Sequence, residues 1–216
     1  MILKTLMTAV SLSTASALSA AEPIWVYLGS YANADDRGIT LCKLDREEGK
    51  LEKIKVFGGH QNPAFLAIHP SKKFLYASNE IRDFKGGNAG AVTSFSVDAK
   101  TGQLTQLNQV SSKGAGPCHL TIDADGKTLL VANYGGGSVA SYRIGDEGSL
   151  SEAVSFIQHE GSSVNERRQK GPHAHSINVD PANKRAYAAD LGLDKVLIYK
   201  LSKKGKLKPN DPPFAK

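Results

Sequence analysis

Two histidines separated by one residue, His173 and His175, are the side chains of this sequence best suited to acid–base chemistry. An imidazole titrates near neutral pH, so it can take a proton from a reacting group and later return it. Arg168 lies a few residues earlier, and a guanidinium can bind a carboxylate or a phosphate. His119 is a further imidazole that could face the same site. Histidines at strand entrances also bond backbone groups, so a structural role stays open for each of them.

The elements that must position these side chains come from a threefold internal repeat. The repeat is anchored on Asn79, Asn133 and Asp190, which recur after roughly 55 residues and each end a short apolar run. Each unit holds only strand-like segments, with alternating apolar residues and Gly- or Pro-marked turns. Four antiparallel strands per unit are typical of a β-propeller blade. The sequence therefore predicts an all-β fold, a β-propeller with four-stranded blades.

The segment from Trp25 to Leu51 matches the second, third and fourth strands of a blade but has no first strand before it. The chain thus carries about three and a half blades. Open sheet edges at both ends would invite aggregation, whereas a closed ring has none. We therefore expect the sequence to be the N-terminal part of a longer, closed ring that is monomeric at full length. A half-ring that closes by dimerisation is the alternative.

Aligning the units places Ala64, Cys118 and His175 at the same position, near the start of the innermost strand. The third unit alone has two extra residues before this position, and His173 lies within that extension. We expect only one of the two imidazoles to face the central channel.

Residues 1–21 resemble a signal peptide, because Lys4 precedes an apolar stretch and Ser19-Ala20-Ala21 offers small residues for cleavage. The partial propeller then occupies residues 22–216, and we expect an exported protein, periplasmic or extracellular. No second apolar run predicts a membrane anchor. The formal net charge of +6 is dispersed, and the run from Lys200 to Lys208 reads as the solvated edge of an outer strand. We therefore expect neither a nucleic-acid nor a membrane partner.

The two cysteines, Cys42 and Cys118, are expected to be free and buried, since two cysteines make no disulfide framework and no zinc-ligand spacing surrounds them. Asp190 and Asp194 supply too few oxygens for calcium, so no metal and no cofactor are expected. The run from Gly135 to Gly137 precedes a strand rather than a helix, which favours a tight hairpin over a phosphate loop. Serine-hydrolase and zincin motifs are absent.

The chain resembles the lactonase family of seven-bladed β-propellers, which includes propeller-type 6-phosphogluconolactonases and carboxy-cis,cis-muconate cyclases. The resemblance runs from Tyr27 to Pro213, and its most specific part is Arg168-Gln169, then Gly171-Pro-His-Ala-His175, then Ala189-Asp-Leu-Gly-Leu-Asp194. It implies a seven-bladed ring with an active site at one mouth of the channel, where a histidine of this stretch acts with Arg and Glu side chains from later blades.

The function this resemblance implies is hydrolysis of a sugar lactone or a related small anionic lactone. Such a reaction needs a base for water and a group that stabilises the oxyanion. His175 is the first candidate for the base and His173 the second; Arg168 and His119 are candidates for binding the substrate. A muconate-type cycloisomerase of the same family and a non-catalytic exported binding module are the alternatives, because a propeller fold alone decides no function.

Overall fold

The computed structural model describes residues 23–31 and 38–216, and the expected signal peptide at residues 1–21 lies outside them. The described residues form fifteen β-strands and one short 3-10 helix, Phe84–Gly86. The strands are β1 Ile24–Leu28, β2 Ile39–Asp45, β3 Lys50–Phe57, β4 Pro63–Ile68, β5 Phe74–Asn79, β6 Ala91–Val97, β7 Leu104–Ser111, β8 Pro117–Ile122, β9 Thr128–Asn133, β10 Ser138–Ile144, β11 Leu150–Gln158, β12 Ala174–Val179, β13 Arg185–Asp190, β14 Lys195–Leu201 and β15 Leu207–Ala215.

The strands form four antiparallel sheets in which chain neighbours are also spatial neighbours. We number these blades in chain order: blade 1 is β1–β3, blade 2 is β4–β7, blade 3 is β8–β11 and blade 4 is β12–β15. The all-β partial propeller predicted from the sequence is confirmed, including the three-stranded first blade. No helix in the described part of the chain is long and apolar enough to cross a membrane.

The innermost strand of each four-stranded blade is irregular at one residue near its start. In blade 2, the register shifts between Pro63 and Phe65, in blade 3 between Pro117 and His119, and in blade 4 between Ala174 and Ser176. The skipped residues are Ala64, Cys118 and His175, so the alignment of the repeats is confirmed. A bulge re-aims the side chain of its extra residue.

The hairpin turn between the first two strands of a blade is fixed by an aspartate in blades 3 and 4. In blade 3, Asp123 Oδ1 accepts hydrogen bonds from the backbone N–H groups of Lys127 and Thr128, at 2.7 and 3.0 Å. Asp180 does the same in blade 4, for Lys184 and Arg185 at 2.7 and 3.1 Å. An aspartate that satisfies turn N–H groups favours a tight reversal.

Three apolar cores lie between successive blades. The second strands of blades 2 and 3 are covered on both faces, because each is packed between two neighbouring blades; all six residues of β9 are buried. Successive side chains of a strand point into different cores: Leu66 packs into the core with blade 1, whereas Ala67 packs into the core with blade 3. Blade 4 leaves Val196 and Phe214 each 38% exposed on its other face. The largest side chains of the cores are Tyr76, Phe95, Leu129, Leu130, Tyr142 and Ile177.

The sequence expectation of two buried thiols needs a correction. Both cysteines are free, and Cys42 is buried, but Cys118 is only partly buried. Its bulge position turns the thiol toward the backbone of blade 4, where Sγ lies 3.3 Å from the carbonyl oxygen of His175.

Candidate active site

The two histidines of blade 4 meet the ring of Tyr134, which comes from the β9–β10 turn of blade 3. His173 stacks on Tyr134 with ring centroids 4.6 Å apart and an interplanar angle of 19°. The edge of His175 contacts the same ring at 5.7 Å and 89°. Both imidazoles therefore lie against one aromatic platform. His175 is exposed, whereas His173 is half-buried just before β12 begins.

The tautomer of His173 follows from its neighbours. Nδ1 lies 3.0 Å from the carbonyl oxygen of Tyr134, which can only accept a hydrogen bond. Nδ1 therefore carries the proton, and Nε2 is the basic nitrogen of the neutral ring. The stacked geometry and this bond together fix the orientation of the imidazole.

Asp190, the last residue of β13, holds the backbone at this point. Its Oδ1 accepts hydrogen bonds from the N–H groups of His173 and Leu193, at 2.7 and 3.2 Å. Its Oδ2 lies 2.6 Å from Nδ1 of the buried His159. Burial alone would raise the pKa of Asp190, but the bonds from His159 and the two N–H groups outweigh it, and the pKa is lowered. The carboxylate is ionised at neutral pH.

A close contact between two backbone segments also fixes the chain where it enters β12. A Cβ atom on Gly192 would collide with the carbonyl oxygen of Gly171, so only glycine lets the β13–β14 turn pack against the segment before His173.

Arg168 sits on a structured loop rather than on a loose one. Asn165 Oδ1 accepts bonds from the N–H groups of Arg167 and Arg168, each at 3.1 Å. Gln169, which is 7% exposed, donates through Nε2 to the carbonyl oxygen of Leu191 at 2.8 Å. The loop is thereby tied to blade 4. From it, Arg168 Nη2 donates to the Tyr134 hydroxyl at 3.0 Å.

His119 lies near His175, but one nitrogen of its ring is bonded to the backbone of a neighbouring strand. Its Nδ1 accepts a hydrogen bond from the N–H of Ile177 at 3.3 Å, and its ring lies 4.5 Å from that of Phe65. Burial and the neighbouring His175 both lower the pKa of His119. A neutral ring with one nitrogen bonded to β12 holds two blades together and leaves Nε2 as its polar edge.

A hydrogen-bonded pair that the sequence did not reveal, Glu80 and Tyr31, lies on the side of blade 2. Glu80 follows β5, and its Oε2 accepts a hydrogen bond of 2.7 Å from the hydroxyl of Tyr31. That bond and partial burial raise the pKa of Tyr31 to about 12. Burial, with a contribution from Glu80, raises the pKa of Cys118 to about 11, so this thiol is protonated at neutral pH and is a poor nucleophile.

Glu80 and Tyr134 could have been found from the repeat. They directly follow Asn79 and Asn133, the anchor residues of two units, and Leu191 takes the same place in the third. Residues at one repeat position reach the same end of adjacent blades.

An open groove of about 630 Å³ lies beside this group, with Arg168, His175 and Lys195 along its wall. Its remaining lining residues are Ala189, Asp190, Leu191, Asp194, Val196 and Lys216. Arg168 and His175 share the Tyr134 platform, and a guanidinium near an imidazole suits a small anionic molecule. In the described residues, no group of three or more His, Cys, Asp or Glu side chains could hold a metal ion.

The fold and this site define a β-propeller that presents an aromatic platform, two imidazoles and a guanidinium where the innermost strands begin. A family model described as "Lactonase, 7-bladed beta-propeller" matches residues 25–215, and the chain belongs to this family.

Two solved structures and one curated relative illustrate the similarity. The 6-phosphogluconolactonase of Bacillus subtilis is 33% identical over 175 residues, which are 81% of this chain and 48% of that protein. A Bacteroides fragilis structure, described as a candidate 6-phosphogluconolactonase, has a TM-score of 0.81 and 30% identity, covering 92% of this chain and 56% of that one. The structure of the periplasmic gluconolactonase of Pseudomonas aeruginosa has a TM-score of 0.80 and 31% identity, covering 88% of this chain and 54% of that one. The chain thus spans about half the length of these relatives.

Proposed function

We propose that the protein to which this chain belongs hydrolyses a small sugar lactone that carries negative charge. The observation that carries the proposal is the Tyr134 platform, which brings together the exposed His175, the guanidinium of Arg168 and the fixed ring of His173. The relatives named 6-phosphogluconolactonase and gluconolactonase support it, since their names describe hydrolysis of sugar lactones.

In the proposed reaction, His175 takes a proton from water as the oxygen attacks the lactone carbonyl. The tetrahedral intermediate collapses with cleavage of the bond between the carbonyl carbon and the ring oxygen. The protonated imidazole returns the proton to that leaving oxygen, and the product is an open-chain hydroxy acid. Water and lactone account for every atom of the product.

His173 is the second candidate for the base, through Nε2. Its fixed ring could also hold the attacking water in place while His175 takes the proton. Comparing His175→Ala with His173→Ala separates these roles: loss of the base lowers kcat by about a hundredfold or more, whereas loss of a water-orienting group has a smaller effect.

Arg168 is proposed to bind the charged group of the substrate. Its guanidinium is exposed and anchored at one nitrogen on the Tyr134 hydroxyl, so other N–H groups remain for a carboxylate or a phosphate. His119 is proposed to contact the substrate through Nε2, since Nδ1 is bonded to the backbone of β12.

The test is a lactonase assay on the protein as its native source encodes it, with 6-phosphogluconolactone and gluconolactone as substrates. Acid release is measured against spontaneous hydrolysis. The proposal predicts saturable hydrolysis, with a preference that tells whether a phosphate is part of recognition. Arg167→Ala is the matched control for Arg168→Ala, because both side chains belong to the same turn.

Absence of any acceleration above the spontaneous rate would refute the hydrolase proposal. Turnover of a muconate instead would assign the same imidazoles to cycloisomerisation, and binding without turnover would assign a binding module.

We also propose that the protein is exported and that residues 1–21 are removed. The Pseudomonas relative is described as periplasmic, which agrees with this proposal. The mass of the mature protein from its native source tests it: a retained Met1 would contradict removal of the leader.

A further inference from the structure

We propose that Tyr199, His159 and Asp190 form a buried positioning unit that holds the backbone of His173, and through it the catalytic platform. This inference rests on the proposed lactonase function. The three residues make a continuous chain: the Tyr199 hydroxyl lies 2.8 Å from His159 Nε2, and His159 Nδ1 lies 2.6 Å from Asp190 Oδ2. Asp190 Oδ1 completes it at the N–H of His173.

The unit is fully removed from solvent. The side chains of His159 and Asp190 are 1% and 0% exposed, and Tyr199 as a residue is 4% exposed. Burial, together with the negative charge of Asp190, raises the pKa of Tyr199, so its hydroxyl keeps its proton and stays hydrogen-bonded to His159 Nε2. Each polar atom of the chain therefore has a partner, which gives it one defined geometry.

The equivalent position in blade 3 shows that the fold does not need this charged chain. Asn133 replaces the aspartate and donates through Nδ2 to the carbonyl oxygen of Ser112, which takes the place of the histidine. Asn133 Oδ1 is a buried oxygen without a hydrogen-bond partner among the described residues. Tyr142 replaces Tyr199 and donates to the carbonyl oxygen of Ser111.

Blade 2 also lacks the chain, because Phe95 stands at the tyrosine position and Asn79 at the aspartate position. Two sister blades thus fold with neutral residues where blade 4 carries an ionised carboxylate and an imidazole. Burying a charge is costly unless every partner is in place. Blade 4, which contains the buried charge of Asp190, is also the blade that contains His173 and His175.

The carboxylate also does what its counterpart in blade 3 does not. Asp190 accepts from the N–H of His173, whereas the corresponding N–H in blade 3, that of Gly116, donates to the carbonyl oxygen of Ile81. Gly116 adopts a φ of 59°, and His173 has no such positive φ. The aspartate therefore fixes the entrance of β12 in a different backbone conformation, in which the His173 ring stacks on Tyr134.

The first test compares two tyrosines at the same strand position. Tyr199→Phe removes only the hydroxyl on His159, and phenylalanine already occupies this position in blade 2. We expect kcat for the lactone to fall roughly threefold to tenfold, the equivalent of one hydrogen bond, with a modestly lowered melting temperature because buried His159 Nε2 loses its partner. Tyr142→Phe is the matched control and should leave kcat unchanged. Equal losses of kcat in both variants would overturn the inference.

The second test uses rescue at the aspartate. Asp190→Ala removes the acceptor for His173 and should lower kcat about tenfold or more, since small displacements of a catalytic group are costly. Asp190→Asn keeps an oxygen for the N–H and should recover most of kcat. Asn133→Ala removes a buried amide at the same repeat position and should lower the melting temperature without lowering kcat. A folded Asp190→Asn variant as slow as Asp190→Ala would contradict positioning by this oxygen.

The His173 amide gives a readout that does not depend on turnover. Hydrogen exchange of this N–H, measured by NMR, should be slow in the unaltered protein and in Asp190→Asn, and fast in Asp190→Ala. If exchange is equally slow in all three, the positioning inference fails even if the lactone is hydrolysed. If exchange follows the prediction but no lactone is hydrolysed, the lactonase proposal fails and the positioning unit stands.

Discussion

Replacing Arg168 with alanine should weaken substrate binding while leaving the chemical step nearly intact. The guanidinium donates to the Tyr134 hydroxyl at 3.0 Å, and its loop is bonded to blade 4 through Gln169. A hydrogen bond to a charged group contributes about 1.5–3 kcal/mol. Because each 1.4 kcal/mol is a factor of ten, Arg168→Ala should raise KM roughly tenfold to a hundredfold.

Tyr134→Phe refines this prediction, because it keeps the aromatic platform and removes only the hydroxyl that anchors Arg168. The loss of this solvent-exposed anchor, about 0.5–1.5 kcal/mol, should raise KM about twofold to tenfold. Steady-state kinetics with the phosphorylated and unphosphorylated lactones measures both effects. An increase in KM for the phosphorylated lactone alone would place the phosphate at Arg168.

Arg167→Ala provides the control, since Arg167 lies in the same turn and Asn165 bonds its backbone in the same way. Its KM should stay within about twofold of the unaltered protein, as expected for a solvent-exposed charge. An unchanged KM in Arg168→Ala, or an equal increase in both variants, would refute the assignment of Arg168 to substrate binding.

Three further predictions concern catalysis, the core and the thiol. His175→Ala should lower kcat about a hundredfold or more with an unchanged melting temperature, measured by thermal unfolding; a retained kcat would remove His175 from the proton transfer. Leu130→Ala, fully buried between blades 3 and 4, should lower the free energy of unfolding by about 2–5 kcal/mol in urea titrations, whereas Leu107→Ala, 37% exposed, should cost far less. Cys118, with its pKa raised to about 11, should react with iodoacetamide slowly at neutral pH and faster as the pH rises toward that value; rapid reaction at pH 7 would contradict the burial of the thiol.

Much of the fold was predictable because the repeat fixes both period and strand type. The structure has the predicted four-stranded blades, and the register shifts fall at Ala64, Cys118 and His175, where the alignment of the repeats placed one shared position. Glycine-bearing turns and alternating apolar residues are local signals, so no knowledge of distant contacts is needed. The partial burial of Cys118 was missed because a bulge, which depends on the pairing strand, re-aims its side chain toward the backbone of blade 4.

The site was predictable in its residues but not in its connections. His173, His175 and Arg168 stand out by type and spacing, and the structure brings all three onto Tyr134. The expectation that only one imidazole would face the channel remains a prediction, although both contact the same ring. That platform joins two blades, and such contacts are set by blade packing rather than by local sequence.

The buried chain under the site was hidden for the same reason. His159, Asp190 and Tyr199 come from the end of one blade and two strands of the next, and their bonds span 31 and 40 residues. The one signal in the sequence was the aspartate at a repeat position where the other units have asparagine. A charged residue at a buried repeat position indicates a requirement specific to that blade.

A structure of the protein with its bound product, gluconate or 6-phosphogluconate, tests the central claim most directly. We predict that the newly formed carboxylate lies within hydrogen-bond reach of an imidazole nitrogen of His175, about 3 Å away, and that Arg168 binds a charged group of the same molecule. A product bound away from the Tyr134 platform, with neither residue in contact, would contradict the assignment of this site to lactone hydrolysis.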